Sequence, residues 1–94
     1  MNKRDAYIEK MKSQLDKLNL EISNVENKAN EAKVEARVRY HAEIGNLRDQ
    51  SKAATHKLEE MKLSGEDVWE GMVAEMEKIR VAFTSSLHYF KSQI

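Results

Sequence analysis

The chain has 94 residues with 16 basic and 16 acidic side chains, a charged fraction of 34%, an aromatic fraction of 6%, and neither proline nor cysteine. Balanced charge excludes a general nucleic-acid binder, which needs an excess of Lys and Arg to displace phosphate counterions, and the missing cysteines exclude a disulfide framework or a thiolate metal site. High charge also marks disordered chains, but those lack the three-and-four return of apolar residues found here, so long packed helices are expected.

The first helix starts at Asn2, whose side chain can accept from a free backbone amide, with Asp5 favourably placed near the positive helix end. Its opening, MNKRDAYIEKMKSQLDKL, holds no apolar core of secretory length, and no later run is long enough to span a bilayer, which predicts a soluble, cytoplasmic protein. From Ile8 the apolar stripe runs through Met11, Leu15, Leu18, Ile22, Val25, Ala29, Ala32 and Ala36, the alternating steps of a heptad. Past Ala36 two steps of four lead through Tyr40 to Ile44 before Leu47, Ser51, Ala54, Leu58 and Met61 resume the alternation. Such an extra residue reads as a stutter within a continuous helix, because Gly45 costs only about 1 kcal/mol there relative to alanine.

A break is predicted at Lys62-Leu63-Ser64-Gly65-Glu66-Asp67. Gly65 suits a left-handed helix closure, Lys57 and Lys62 suit a negative helix end, and Glu66, Asp67 and Glu70 suit a positive one; Ser64 with Asp67 resembles a capping box. The second helix then carries Val68, Met72, Met76, Ile79, Phe83, Leu87, Phe90 and Ile94, an eleven-residue period close to a straight helix, with Trp69, Val73 and Ala82 widening the apolar face.

These signals predict an all-α, elongated antiparallel helical hairpin forming one coiled-coil domain over 1–94, with helix 1 over about 3–62, a turn at 63–66 and helix 2 over about 66–92. Folding back about the turn places Trp69 near Leu58 or Met61, Met76 near Ala53 and Ala54, Phe83 near Leu47 and Phe90 near Tyr40. The hairpin core is thus Tyr40, Leu47, Leu58, Met61, Trp69, Met72, Met76, Ile79, Phe83, Leu87 and Phe90. Helix 1, at roughly 90 Å, overhangs helix 2, at roughly 40 Å. Six overhanging residues, Ile8, Met11, Leu15, Leu18, Ile22 and Val25, then represent on the order of 10 kcal/mol of unclaimed burial. They form the expected oligomer interface, with an antiparallel homodimer favoured.

Chemistry is sparse in the sequence. His41, His56 and His88 are the only neutral-pH bases, none with a carboxylate three residues before it, as helical di-iron sites require. His56 with Glu60 has a chelating spacing that a solvated helix face also produces. Ser85, Ser86 and His88 diverge around the helix axis, and Gly45, Gly65 and Gly71 are too isolated to cradle a phosphate. Lys33, Arg37, Arg39 and Arg48 gather positive charge near Tyr40, but Glu31, Glu35 and Glu43 interleave with them, the pattern of a solvated surface. No catalytic, cofactor or metal site is expected, and no nucleic-acid partner.

Lys3-Arg4-Asp5-Ala6-Tyr7, Lys10-Met11-Lys12 and Gln14-Leu15-Asp16, together with Ser64-Gly65-Glu66-Asp67-Val68-Trp69-Glu70, resemble small uncharacterised bacterial coiled-coil proteins over most of the chain. The resemblance implies a helical fold in a bacterium and supplies no activity. The eleven-residue period is also distantly similar to exchangeable apolipoprotein helices, although their punctuating prolines are absent here. The expected function is a non-enzymatic structural or protein-interaction module that self-associates. The alternative is a reversible lipid- or apolar-surface binder using helix 2 through Trp69, Phe83, Tyr89 and Phe90, against which stand Glu66, Asp67, Glu70, Glu75 and Glu77.

Overall fold

In the computed structural model, which describes residues 2–94, three antiparallel helices form a rod of 51 × 20 × 18 Å: α1 (Lys3–Asn30), α2 (Val34–Leu63) and α3 (Glu66–Gln93). The all-helical, elongated class expected from periodicity is present, but the two-helix hairpin is corrected to three helices. Asn2 caps α1 as its residue type predicts, its Oδ1 accepting from the Asp5 amide at 2.8 Å.

The correction lies at Glu31–Lys33, where a continuous helix was expected. No described residue, glycine included, has positive φ, and Lys33 turns the chain simply by adopting an extended conformation, φ −60° and ψ 149°. Its side chain makes no capping hydrogen bond. The break forfeits three or four intrahelical hydrogen bonds, at a net of about 1 kcal/mol each. Against that stands the roughly 10 kcal/mol of burial available to the stripe on α1 once α2 folds back over it. Closure within one chain also avoids the translational and rotational entropy that association with another copy would cost. Tertiary burial therefore overrides a strongly helical local sequence.

The stripe assigned to an oligomer interface accordingly lies inside this chain: Met11, Leu15, Leu18, Ile22 and Val25 are buried and Ile8 is half-buried against them. The overhang that motivated the assignment is absent, and the two steps of four after Ala36 mark the opening turns of α2 instead of a stutter within a longer helix. Gly45 does sit within α2, as expected.

One core runs along all three helices. From α2 come Ile44, Leu47, Ser51, Ala54, Leu58 and Met61, and from α3 Met76, Phe83, Leu87 and Phe90, all buried. Small Ser51 and Ala54 let both neighbours approach α2 closely, whereas bulky Met76 and Phe83 from α3 and Met11 and Ile22 from α1 hold those two helices further apart. Tyr40, Trp69, Met72 and Ile79 pack against this core in partial burial, while Val68 stays about half exposed.

The register predicted for the last two helices holds. Tyr40 meets Phe90 edge to face with centroids 5.8 Å apart, the Gln50 amide donates to Ser86 Oγ at 3.2 Å, and Lys57 pairs with Glu75 at 2.6 Å. The reversal itself uses different backbone chemistry from that expected. Gly65 is the extended N-cap of α3 at φ −79°, not left-handed, and Ser64 bonds back to the Met61 carbonyl at 2.9 Å in place of a capping box with Asp67.

Candidate functional site

The most organised constellation lies where the first turns of α1 and α3 meet the last turn of α2. Arg4, on the second residue of α1, reaches the end of α2 and donates to the carbonyls of Met61 at 3.1 Å and Ser64 at 2.7 Å. These oxygens belong to the negative end of a helix, so a guanidinium there satisfies orphan acceptors and complements the dipole. The same guanidinium lies 4.6 Å from the Trp69 ring centroid, within cation–π range. One turn on, Tyr7 meets Trp69 edge to face at 5.8 Å and donates its hydroxyl to Glu77 Oε2 at 2.9 Å, while Arg80 donates to both oxygens of that carboxylate at 3.2 Å. Trp69, assigned only to Leu58 or Met61 in the two-helix register, is therefore covered by α1.

Burial raises the Tyr7 phenol well above its ordinary pKa, and the neighbouring Glu77 carboxylate raises it further. Glu77 is lowered, chiefly by the Arg80 hydrogen bond, with Tyr7 donating as well. The folded state thus favours neutral Tyr7, whose contribution is complete below the unfolded phenol pKa of about 10 and is lost as pH rises beyond it. Glu77 works in the opposite direction, its contribution present above about pH 4.3 and lost as pH falls. Urea midpoints should therefore drop on the alkaline side more steeply in wild type than in Tyr7→Phe, and on the acid side more steeply than in Glu77→Gln. Parallel curves for wild type and both variants would show that this network does not couple to folding.

A second polar contact crosses the middle of the rod, where buried Ser51 on α2 donates its hydroxyl to Asn19 Oδ1 on α1. At the opposite end the contacts are exposed: Arg37 Nε donates to the Ala32 carbonyl at 2.7 Å, His41 meets Asn30 Oδ1 at 2.9 Å, and Lys91 pairs with Glu21 at 3.1 Å.

Among the sequence candidates, Arg39 stacks over Tyr40 at 5.3 Å and Arg48 pairs with Glu26 at 2.8 Å. With Arg37 bound to the turn carbonyl, three of the four basic residues near Tyr40 hold contacts within the chain. His56 and Glu60 approach to 3.1 Å on an exposed face. Ser86 is engaged by Gln50, and Ser85 and His88 are exposed. No group of three His, Asp or Glu side chains is gathered for a metal among the described residues.

Sequence reading missed Arg4, Glu77, Arg80 and Asn19. Arg80 meets Glu77 one turn away on α3, but the other partners lie 32 to 70 positions away, so only the three-helix fold brings them together. Ser51 within an apolar stripe was the one available signal, a polar residue on a core face that requires a partner. No described helix is long and apolar enough to cross a membrane. No protein-family model, curated protein or solved structure matches the chain.

Proposed function

We propose that the chain is a non-enzymatic structural and protein-interaction module of the bacterial cytoplasm that self-associates. The observation that carries this reading is the use to which its organised polar groups are put. Arg4, Tyr7, Glu77, Ser51 and Asn19 fix one helix to another, with Arg80 steadying Glu77 within α3, so the working surface is a helical rod 51 Å long. Its outer faces carry apolar side chains suited to contact, with Val34 and Val38, one turn apart on α2, 70% and 79% exposed. Tyr89 on α3 is 69% exposed.

Light scattering from micromolar to millimolar concentration tests the self-association. A mass rising above the 10.9 kDa chain supports it, and a constant monomer across that range defeats it. Burial of Met76, Phe83, Leu87 and Phe90 in the core counts against lipid binding by α3, which would have to expose them. Flotation with neutral or anionic vesicles, accompanied by a change in Trp69 emission, would replace the scaffold by the lipid-surface alternative.

A further inference from the structure

We infer that the chain exchanges α1 with a second copy of itself. In the exchanged dimer Glu31–Lys33 becomes helical, α1 and α2 join into one long helix, and each α1 docks on α2 and α3 of the other copy. This inference rests on the self-association proposed above and specifies its geometry.

The turn is the first argument. Every other reversal signal in the chain sits at Ser64-Gly65, whereas Glu31, Ala32 and Lys33 are all good helix formers. No left-handed residue bends the chain there, and Lys33 gives α2 no side-chain cap. The apolar stripe also keeps heptad steps through the bend itself, at Ala29, Ala32 and Ala36, so straightening joins the two stripes with a single stutter between Ala36 and Ile44. Apart from the exposed Arg37–Ala32 bond across it, the bend is held by the docking of α1, and α1 docks equally well on another copy, since exchange replaces each docking contact by an identical one between chains.

Register is the second argument. Two long helices related by a perpendicular two-fold axis pair residues symmetrically about the axis. The contacts Arg4–Met61, Asn19–Ser51, Glu26–Arg48 and Asn30–His41 all have midpoints between residues 32 and 37. A two-fold crossing beside the straightened turn therefore reproduces the α1–α2 register between chains. It also sets Ala32 and Ala36 of one copy beside the same residues of the other, where small side chains let the helices cross closely.

Val34→Pro separates the two forms. Val34 is the first residue of α2 and exposed, a position where proline is favoured, and Lys33 already has the extended backbone required before proline. The same proline in a fused helix removes a hydrogen bond and clashes with the preceding turn. Wild type refolded at millimolar concentration should yield a dimer of about 22 kDa, twice the 10.9 kDa chain. Val34→Pro should lower the dimer fraction at least tenfold, and Ala32→Gly, which leaves the turn intact, should lower it in the same direction.

Spin labels on cysteines replacing exposed Lys17 and Lys52, in chains refolded with excess unlabelled protein, report the geometry. The intrachain distance should be roughly 20 Å in the monomer and roughly 50 Å in the dimer, where 35 residues at about 1.5 Å each separate the labels. A dimer retaining the short distance would overturn the exchange while leaving self-association standing. A dimer undiminished in both variants would also overturn it, and refolded protein that stays monomeric would overturn both.

Discussion

Phe83→Ala is expected to leave most of the chain unfolded at physiological temperature. Phe83 is fully buried, at 0% exposure, between the Met76 and Leu87 turns of α3. Truncating a buried phenylalanine costs about 3–5 kcal/mol, through lost transfer energy and the cavity left behind. A domain of this size has total stability near the lower part of the usual 5–15 kcal/mol, because its surface is large for its core. At roughly 4–8 °C per kcal/mol the melting temperature should fall by about 12 to 40 °C. Circular dichroism at 222 nm on heating provides the check, with Leu20→Ala, at 64% exposure, as the near-neutral comparison. A loss below about 1 kcal/mol would mean that α3 is not packed through Phe83.

Ile22→Asp should have a comparable effect, and its pattern distinguishes the three-helix bundle from a two-helix hairpin. In the hairpin, Ile22 lies on an overhang, so a charge there separates chains and leaves the Trp69 end folded. In the bundle Ile22 is 0% exposed within the core shared by the three helices, and an unpaired carboxylate at that place must be desolvated or protonated at a cost of several kcal/mol. Helicity and Trp69 burial should therefore be lost together, since Trp69 is covered by Arg4 and Tyr7 of the same α1. An undisturbed Trp69 emission beside a reduced molecular mass would return the overhang model.

The contrast between the two reversals explains what the sequence disclosed. Ser64-Gly65 was legible because its residues act locally: charge signs change across it, and a residue with little helix propensity lies between two stripes. The turn at Glu31–Lys33 was not, because its cause is non-local and resides in the stripe from Met11 to Val25, which must be covered by something. The unclaimed burial was correctly located, and its solution, a fold-back within the chain, was not. The single local trace was the change of apolar phase from Ala36 through Tyr40 to Ile44, which a new helix axis and a stutter produce alike. Within the polar network Trp69 was legible as a core residue, but Arg4 was not singled out, because nothing in its neighbourhood announces a partner at Ser64.

The uneven tethering of the two ends has a kinetic consequence for the native rod. At the Arg4 end, partly buried bonds tie the start of α1 to the end of α2 and to Glu77 of α3, whereas the Glu31–Lys33 end relies on exposed bonds such as Arg37 to Ala32 and Lys91 to Glu21. Local opening draws on the least protected segment first. Fraying should therefore start at the Glu31–Lys33 end and travel toward Arg4, so that amide hydrogens of the final turn of α1 and the opening turns of α2 exchange with solvent long before those around Met61.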